Sequence, residues 1–185
     1  FDGRRVVVTP VAATDAAACA RLEAFWRALG ADVVRRDPET HDAEVAWTSH
    51  LPHLTAYAYA LALEAAPAHA GELAASGFAD FTRIAHSNPE LWADILATNG
   101  KALAGPIHRV AGALAELARA TEAGDAETLE RLLAEGRETL AKVAQQAPSS
   151  PLAPLREDAR SGGTNPEIQA APRDGRPPKG SNQHS

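Results

Sequence analysis

The run Thr48-Ser49-His50-Leu51-Pro52-His53 places two imidazoles three residues apart inside an otherwise apolar stretch. Side chains at i and i+3 of a helix share one face, so both rings can serve one hollow as hydrogen-bonding or proton-carrying groups. Pro52 has no N–H to offer the Thr48 carbonyl and crowds the preceding turn, which predicts a distorted helix here. The competing reading is a pair of packed, satisfied histidines in an alanine-rich helix.

Arg83 is the second group with chemical potential. Between Pro38 and Gly105 it is the only arginine, and Lys101 the only lysine. Its guanidinium presents a rigid fork suited to a carboxylate. Asp80, three residues back, is close enough in sequence to be that anion as a plain helical pair. On the functional reading, Arg83 instead holds a substrate carboxylate and Asp80 orients it. Trp92 belongs to an apolar helix stripe and secondarily to a ligand wall. A metal at His50 and His53 lacks third and fourth ligands, and the HExxH pattern is absent. Cys19, flanked by Ala18 and Ala20, reads as a packed small residue.

Bulk properties narrow the field. Of 185 residues none is methionine and the first is Phe1, so the expectation is a fragment or a product processed at its N-terminus. One cysteine permits no internal disulfide and fits a reducing cytoplasm. The opening carries no secretory signal, and no run approaches the roughly 18 apolar residues of a membrane span. A net charge of -6 argues against nucleic acid and anionic membranes as partners. Neither GxGxxG nor GxxxxGKS/T occurs, so the phosphate cradle of a nucleotide site is not among these residues.

The positioning elements follow from pattern. Val6-Val7-Val8, closed by Thr9-Pro10, suits a buried strand. Ala18, Leu22, Phe25, Trp26 and Leu29 recur at helical spacing, capped by Thr14 or Asp15 and stopped by Gly30. Ala31 to Val34 reads as a second strand, completing a βαβ unit too small to stand alone as a sheet, so a partner segment before Phe1 is expected. Pro38 marks a change of regime, and Glu39 to Gln146 shows no convincing strand. His41-Asp42 is expected to open the helix carrying the two histidines. Ser76-Gly77-Phe78 reads as a turn, and Ala79 to His86 as a short helix. Asn88-Pro89-Glu90 is a helix start. The apolar phase from Trp92 through Leu96, Asn99, Leu103, Ile107, Val110, Leu114 and Leu117 predicts one long helix kinked near Pro106. Asp125 caps a last helix whose stripe, Leu129, Leu133, Gly136, Leu140 and Val143, predicts a helical hairpin that pairs with a second copy as a homodimer. From Ala147 to Ser185, seven of thirteen prolines and few apolar residues predict a disordered tail.

Several runs taken together resemble the C-terminal part of the prephenate dehydrogenase family, which includes arogenate dehydrogenase. They are Phe1-Asp2-Gly3-Arg4 with Thr9-Pro10, Phe25-Trp26, Leu29-Gly30-Ala31, His41-Asp42, Thr48 to His53, Gly77-Phe78, Asp80 to Ala85, Ser87, Pro89, Trp92, Asp94-Ile95 and Asn99. The resemblance covers roughly residues 1–120 by motif and 121–145 by architecture. It implies a mainly α fold: residues 1–37 end a Rossmann-type nucleotide domain, and 38–146 form an all-helical substrate and dimerisation domain. It implies oxidative decarboxylation of prephenate to 4-hydroxyphenylpyruvate in tyrosine biosynthesis, in the cytoplasm, with NAD or NADP bound mainly by the missing N-terminal domain. Arogenate is the alternative substrate. By position, Arg83 resembles the arginine that binds a carboxylate of this small dicarboxylate, Asp80 its acidic partner, and His50 and His53 the histidines of the pocket. Gly77 lies in a segment that approaches the site, and Trp92 matches a pocket-lining tryptophan. The HPMAG-like run with the family's catalytic histidine is not present, so the chain alone is expected to be inactive. A rival expectation is a non-catalytic helical dimer with a regulatory role.

Overall fold

The structure, a computed structural model, describes residues 1–146. The expected disordered tail, 147–185, lies outside the described residues.

Strands β1 (Arg5–Val8) and β2 (Asp32–Arg35) pair in parallel, Arg5 opposite Asp32 and Val8 opposite Arg35. They are the only strands among the described residues. Helix α1 (Ala16–Ala28) connects them, giving the expected βαβ unit. The Asp15 carboxylate caps it, accepting from the N–H groups of Ala17 and Ala18 at 2.7 and 3.2 Å. Past its end Gly30 adopts φ +83°, and a Cβ there would lie 3.1 Å from the Asp2 Cα, so both conformation and space call for glycine. Beneath α1 sits a carboxylate that the apolar pattern did not announce. Glu23 is only 5% exposed. It accepts from Arg35 and, at 3.1 Å, from Arg27, and the Cys19 thiol donates to it at 3.6 Å. The bond from Arg35, ahead of any other influence, holds the Glu23 carboxyl below the usual carboxylate range. Cys19 is buried, as a packed small residue should be.

The remainder is helical. Helix α2 (Pro38–Val45) begins earlier than expected. Its cap is Asp37, whose carboxylate takes the Thr40 N–H at 2.8 Å and the Thr40 hydroxyl at 2.7 Å. His41-Asp42 therefore lies within the helix. Pro38 is not a breaker but the first helical residue, where its missing N–H costs nothing. A π turn (Ala46–His50) follows and leads into α3 (Leu51–Ala62). Two 3₁₀ turns, Leu63–Ala65 and Ala70–Leu73, follow α3. Helix α4 (Ser76–Thr82) includes Ser76-Gly77-Phe78, which corrects the expected turn, and passes into a 3₁₀ turn at Arg83–His86. Gly77 keeps ordinary helical geometry there, so the glycine did not signal a reversal.

Helices α5 (Pro89–Thr98) and α6 (Gly100–Glu122) replace the single helix expected, and the interruption is at Asn99, not Pro106. Asn99 has φ -97° and ψ 17°, yet its N–H still reaches the Ile95 carbonyl and its carbonyl still receives the Leu103 N–H, both at 3.1 Å. The ladder thus runs through a one-residue distortion, which is why the apolar phase does not slip. Two poor helix formers adjoin there, an asparagine whose amide is drawn elsewhere and Gly100. Pro106 lies buried inside the continuous α6. Gly124, at φ +64°, and the Asp125 cap turn the chain into α7 (Ala126–Ala144), which packs on α6 as the expected hairpin.

The helical core is compact: Ala46, Leu51 and Leu103, with Leu96, Ala102, Ile107 and Val110 against it. Ala46 and Leu51 are five residues apart, and the π turn brings them to one side because the Leu51 N–H bonds to the Ala46 carbonyl. Leu103, 1% exposed, is the keystone. Truncating it to alanine should lower unfolding free energy by about 2–5 kcal/mol. Urea denaturation would read this, and an unchanged midpoint would place the core elsewhere.

Candidate functional site

Pro52 determines the local geometry. Without its N–H, Pro52 leaves the Thr48 carbonyl without its α-ladder partner, and the chain before it forms a π turn that carries His50 at its last position. His53 lies one turn into α3. Both rings face α5: His53 stacks on Trp92 with centroids 3.6 Å apart and planes 17° apart, while His50 meets Trp92 edge-on at 6.2 Å and 80°. The expected sharing of a face is realised, and Trp92 is the surface that both share.

Each imidazole is anchored through Nδ1. Ser49's carbonyl lies 2.9 Å from His53 Nδ1. His50 Nδ1 lies 2.9 Å from Asn99 Nδ2, and the same amide nitrogen donates to the Asp42 carbonyl at 2.9 Å. Burial pushes His50 below the ordinary histidine value of 6.5. Asp42 works against this, whereas His41 and His53 reinforce it.

Arg83 opens the 3₁₀ turn between α4 and α5. That turn is tied to α3 where the Tyr57 hydroxyl donates to the Ser87 carbonyl at 2.6 Å. The Ser87 hydroxyl closes it on the Ile84 carbonyl at 2.8 Å, and buried Thr82 ties its hydroxyl to the Phe78 carbonyl at 2.8 Å. Tyr59 further meets Phe78 and Phe81 edge-on. Arg83 itself is exposed and makes no ion pair among the described residues, so the simple helical pair with Asp80 does not form. Asp80 and Gly77 are exposed on α4, and a Cβ on Gly77 would meet open space. The structure thus brings His50, His53 and Trp92 into contact and leaves Gly77, Asp80 and Arg83 solvent-facing on the segment that packs against α3.

Three contributors escaped the sequence reading. Asn99 had been placed in the apolar phase, although an asparagine at a core position is itself a signal of a buried polar contact. Tyr57, one of two tyrosines, and Glu23 gave no signal beyond their type.

A dinucleotide fits the β1–α1 connection poorly. The turn Thr9-Pro10-Val11-Ala12-Ala13-Thr14 contains no glycine, and the first N–H groups of α1 are already taken by the Asp15 carboxylate. A pyrophosphate would meet a negative charge there. An open apolar groove runs along β1 and α1 past Val6, Val8, Cys19 and Trp26, away from the histidines. Among the described residues no group of three His, Cys, Asp or Glu could hold a metal, and no helix is long and apolar enough to cross a membrane.

A family profile described as "Prephenate dehydrogenase, dimerization domain" matches residues 37–135, more than half of the chain. A cyclohexadienyl dehydrogenase of Zymomonas mobilis is 36% identical over 107 residues, taking in 56% of this chain and 36% of that protein. The solved prephenate dehydrogenase of A. aeolicus, in complex with hydroxyphenyl propionate and NAD+, superposes with a TM-score of 0.68 at 29% identity, over 77% of this chain and 51% of that one. Synechocystis arogenate dehydrogenase gives a TM-score of 0.67 at 30% identity, over 77% and 53%. The chain therefore spans about half the length of these solved structures and little more than a third of the Zymomonas relative. The class so defined is a helical dimerisation-type domain preceded by a βαβ unit. Within that class, the chain belongs to the prephenate/arogenate dehydrogenase family.

The site carries a pH signature. Because folded His50 holds a proton less tightly than the unfolded chain does, its contribution to stability is complete above 6.5 and is lost as pH falls through its folded value. An NMR titration should place its midpoint below 6.5. A midpoint at or above that value would contradict the burial account.

Proposed function

We propose that this chain supplies the helical, substrate-side part of an enzyme that converts prephenate to 4-hydroxyphenylpyruvate with NAD(P)+. Residues 1–37 would be the end of the nucleotide domain and 38–146 the substrate domain. The family profile starts at residue 37, beside the Asp37 cap, in keeping with that boundary. The observation that carries the reading is the pair of imidazoles seated on Trp92, with the Arg83–His86 turn packed on α3 and its arginine without an anionic partner among the described residues.

In the proposed reaction NAD(P)+ accepts hydride from the ring carbon bearing the hydroxyl, while carbon dioxide leaves and the ring becomes aromatic. The work left to this chain is to bind and orient. Arg83 holds a substrate carboxylate, with Asp80 close by on the same helical segment. His50 and His53 contact the substrate's polar groups, and Trp92 lies behind them as a flat apolar wall. The nucleotide cradle and the catalytic histidine are not supplied by these 185 residues, so the chain by itself should not turn over. Arogenate carries the same ring and ring carboxylate and would meet the same groups. A cytoplasmic setting fits a small dicarboxylate metabolite and a single cysteine.

The same reading includes a homodimer. Leu114 on α6 and Leu133, Leu140 and Val143 on α7 are exposed in one copy, with Leu133 and Leu140 at 63% and 69%. Leu133 and Leu140 are seven residues apart and lie on one face. Sedimentation at micromolar concentration should give a dimer, and Leu133→Glu with Leu140→Glu should give a monomer. A wild-type monomer would remove the dimer from the proposal.

Arg83 provides the functional test. In the dehydrogenase that joins this chain to a nucleotide-binding domain, Arg83→Ala should raise KM for the dicarboxylate and leave KM for the nucleotide unchanged. The loss should amount to about 2–5 kcal/mol, as for truncating one member of a covered charge pair. An unaltered substrate KM would refute the role given to Arg83.

A further inference from the structure

The hydrogen-bond network fixes more than the positions of the rings. A backbone carbonyl can only accept, so the Asn99 atom that faces the Asp42 carbonyl must be the amide NH2. That nitrogen is also the one 2.9 Å from His50 Nδ1, and an NH2 group facing a ring nitrogen makes that nitrogen the acceptor. The His50 proton is therefore on Nε2. His53 Nδ1 faces the Ser49 carbonyl, again an obligate acceptor, so there Nδ1 carries the proton. In the neutral ring this leaves Nε2 of His53 as a lone pair.

Neither Nε2 has a partner among the described residues, and no buried side-chain polar atom there lacks one. Both Nε2 atoms therefore reach solvent and are free for a ligand. The two nearest-neighbour imidazoles of the site differ in what they offer, although their sequence contexts look alike.

We propose that Asn99 is a positioning residue that holds His50 in the Nε2–H tautomer, opposite to that of His53, so that the site presents one imidazole donor and one imidazole acceptor to its ligand. A ligand that satisfies both carries an acceptor oxygen, such as a carboxylate or carbonyl, opposite His50 and a hydroxyl opposite His53. This deepens the dicarboxylate reading above and rests on it for the identity of the ligand, but the tautomers themselves do not depend on it. Burial of His50, which disfavours its imidazolium, acts in the same direction by keeping Nδ1 available as an acceptor.

Asn99 is only 8% exposed, and the amide joins the end of α2, the π turn and the α5–α6 junction. A merely structural role would require the bond to Asp42 alone. The positioning role requires the bond to His50 as well, and the two can be separated by spectroscopy.

The test is NMR on the ¹⁵N-labelled 185-residue chain at alkaline pH, without substrate or turnover. Long-range proton–nitrogen correlations should show His50 protonated at Nε2 and His53 protonated at Nδ1. A nitrogen–nitrogen coupling across the hydrogen bond should link Asn99 Nδ2 to His50 Nδ1. In Asn99→Leu the His50 ring should relax to a mixture of tautomers while His53 stays as it was. His50 protonated at Nδ1, both rings in one tautomer, or no trans-bond coupling would overturn the proposal. So would a folded Asn99→Leu in which His50 is unchanged. If that variant does not fold, the wild-type coupling decides. Failure here leaves the Arg83 measurement standing, and failure of the Arg83 measurement leaves the tautomers standing.

Discussion

A primary amide buried among helices must place its N–H groups or destabilise the fold, because an unmatched buried polar group costs about 1–3 kcal/mol. Asn99 meets this demand by spanning to the Asp42 carbonyl and to His50 Nδ1. The constraint is long-range, with partners 57 and 49 positions away in sequence. It fixes where α2 ends against α6 and how the π turn is presented to α5. Leu103, the next inward residue on α6, then seats against Ala46 and Leu51. The small apolar core and the imidazole pair are thus two sides of one junction. A change in the amide is felt by both.

The two kinds of polar group at the site act by different physics. The imidazoles are held on a rigid support, each through Nδ1, with Trp92 against both. Arg83 is held only by its backbone, through the 3₁₀ turn pinned by Tyr57 and Ser87. Two unit charges 4 Å apart attract by about 1 kcal/mol in water and about 4 kcal/mol near a protein surface of intermediate dielectric. An exposed guanidinium on a chain of net charge -6 therefore gains most of its pull on an anion only once the ligand covers it. On the proposed reading, selectivity would follow from cover as much as from charge. The rigid imidazoles would supply direction, and the arginine an attraction that grows with desolvation.

Much of this was legible in the chain because it depends on local chemistry. Asp15, Asn88 and Asp125 cap their helices as their types suggest, and Gly30 ends α1 where a left-handed residue is needed. The two histidines meet the same tryptophan, as a separation of three residues allows. What was not legible depends on partners distant in sequence. Asn99 falls in register with an apolar stripe, and its partners Asp42 and His50 lie far away in sequence. Pro106 looked like the kink, yet a proline inside a long helix is tolerated when neighbours hold both sides, whereas Asn99-Gly100 yields first. Asp37-Pro38 was read as a boundary, although Asp before Pro is also a cap followed by a first-turn proline, and the Thr40 contacts decide for the cap. Glu23 is charged and buried because Arg27 and Arg35 reach it, which no periodicity in α1 could show.

The proposed dimer bears on the site through α6. Fully burying a leucine or valine contributes about 1.5–3 kcal/mol. Association costs about 4–15 kcal/mol in lost rigid-body freedom. Leu114, Leu133, Leu140 and Val143, partly exposed in each copy, give a gross gain that overlaps this range without clearly exceeding it, so a stable pair must recruit further surface. Exposed Leu91 lies next to Trp92 on α5, within the same helical run. An interface that extends from α7 along α6 to α5 would press on the helix whose tryptophan supports both imidazoles. Ordering those helices in the dimer would then reduce the entropy that a ligand must remove at the site. In such an enzyme, assembly and substrate binding would draw on the same rigid element, and weakening one would be measurable in the other.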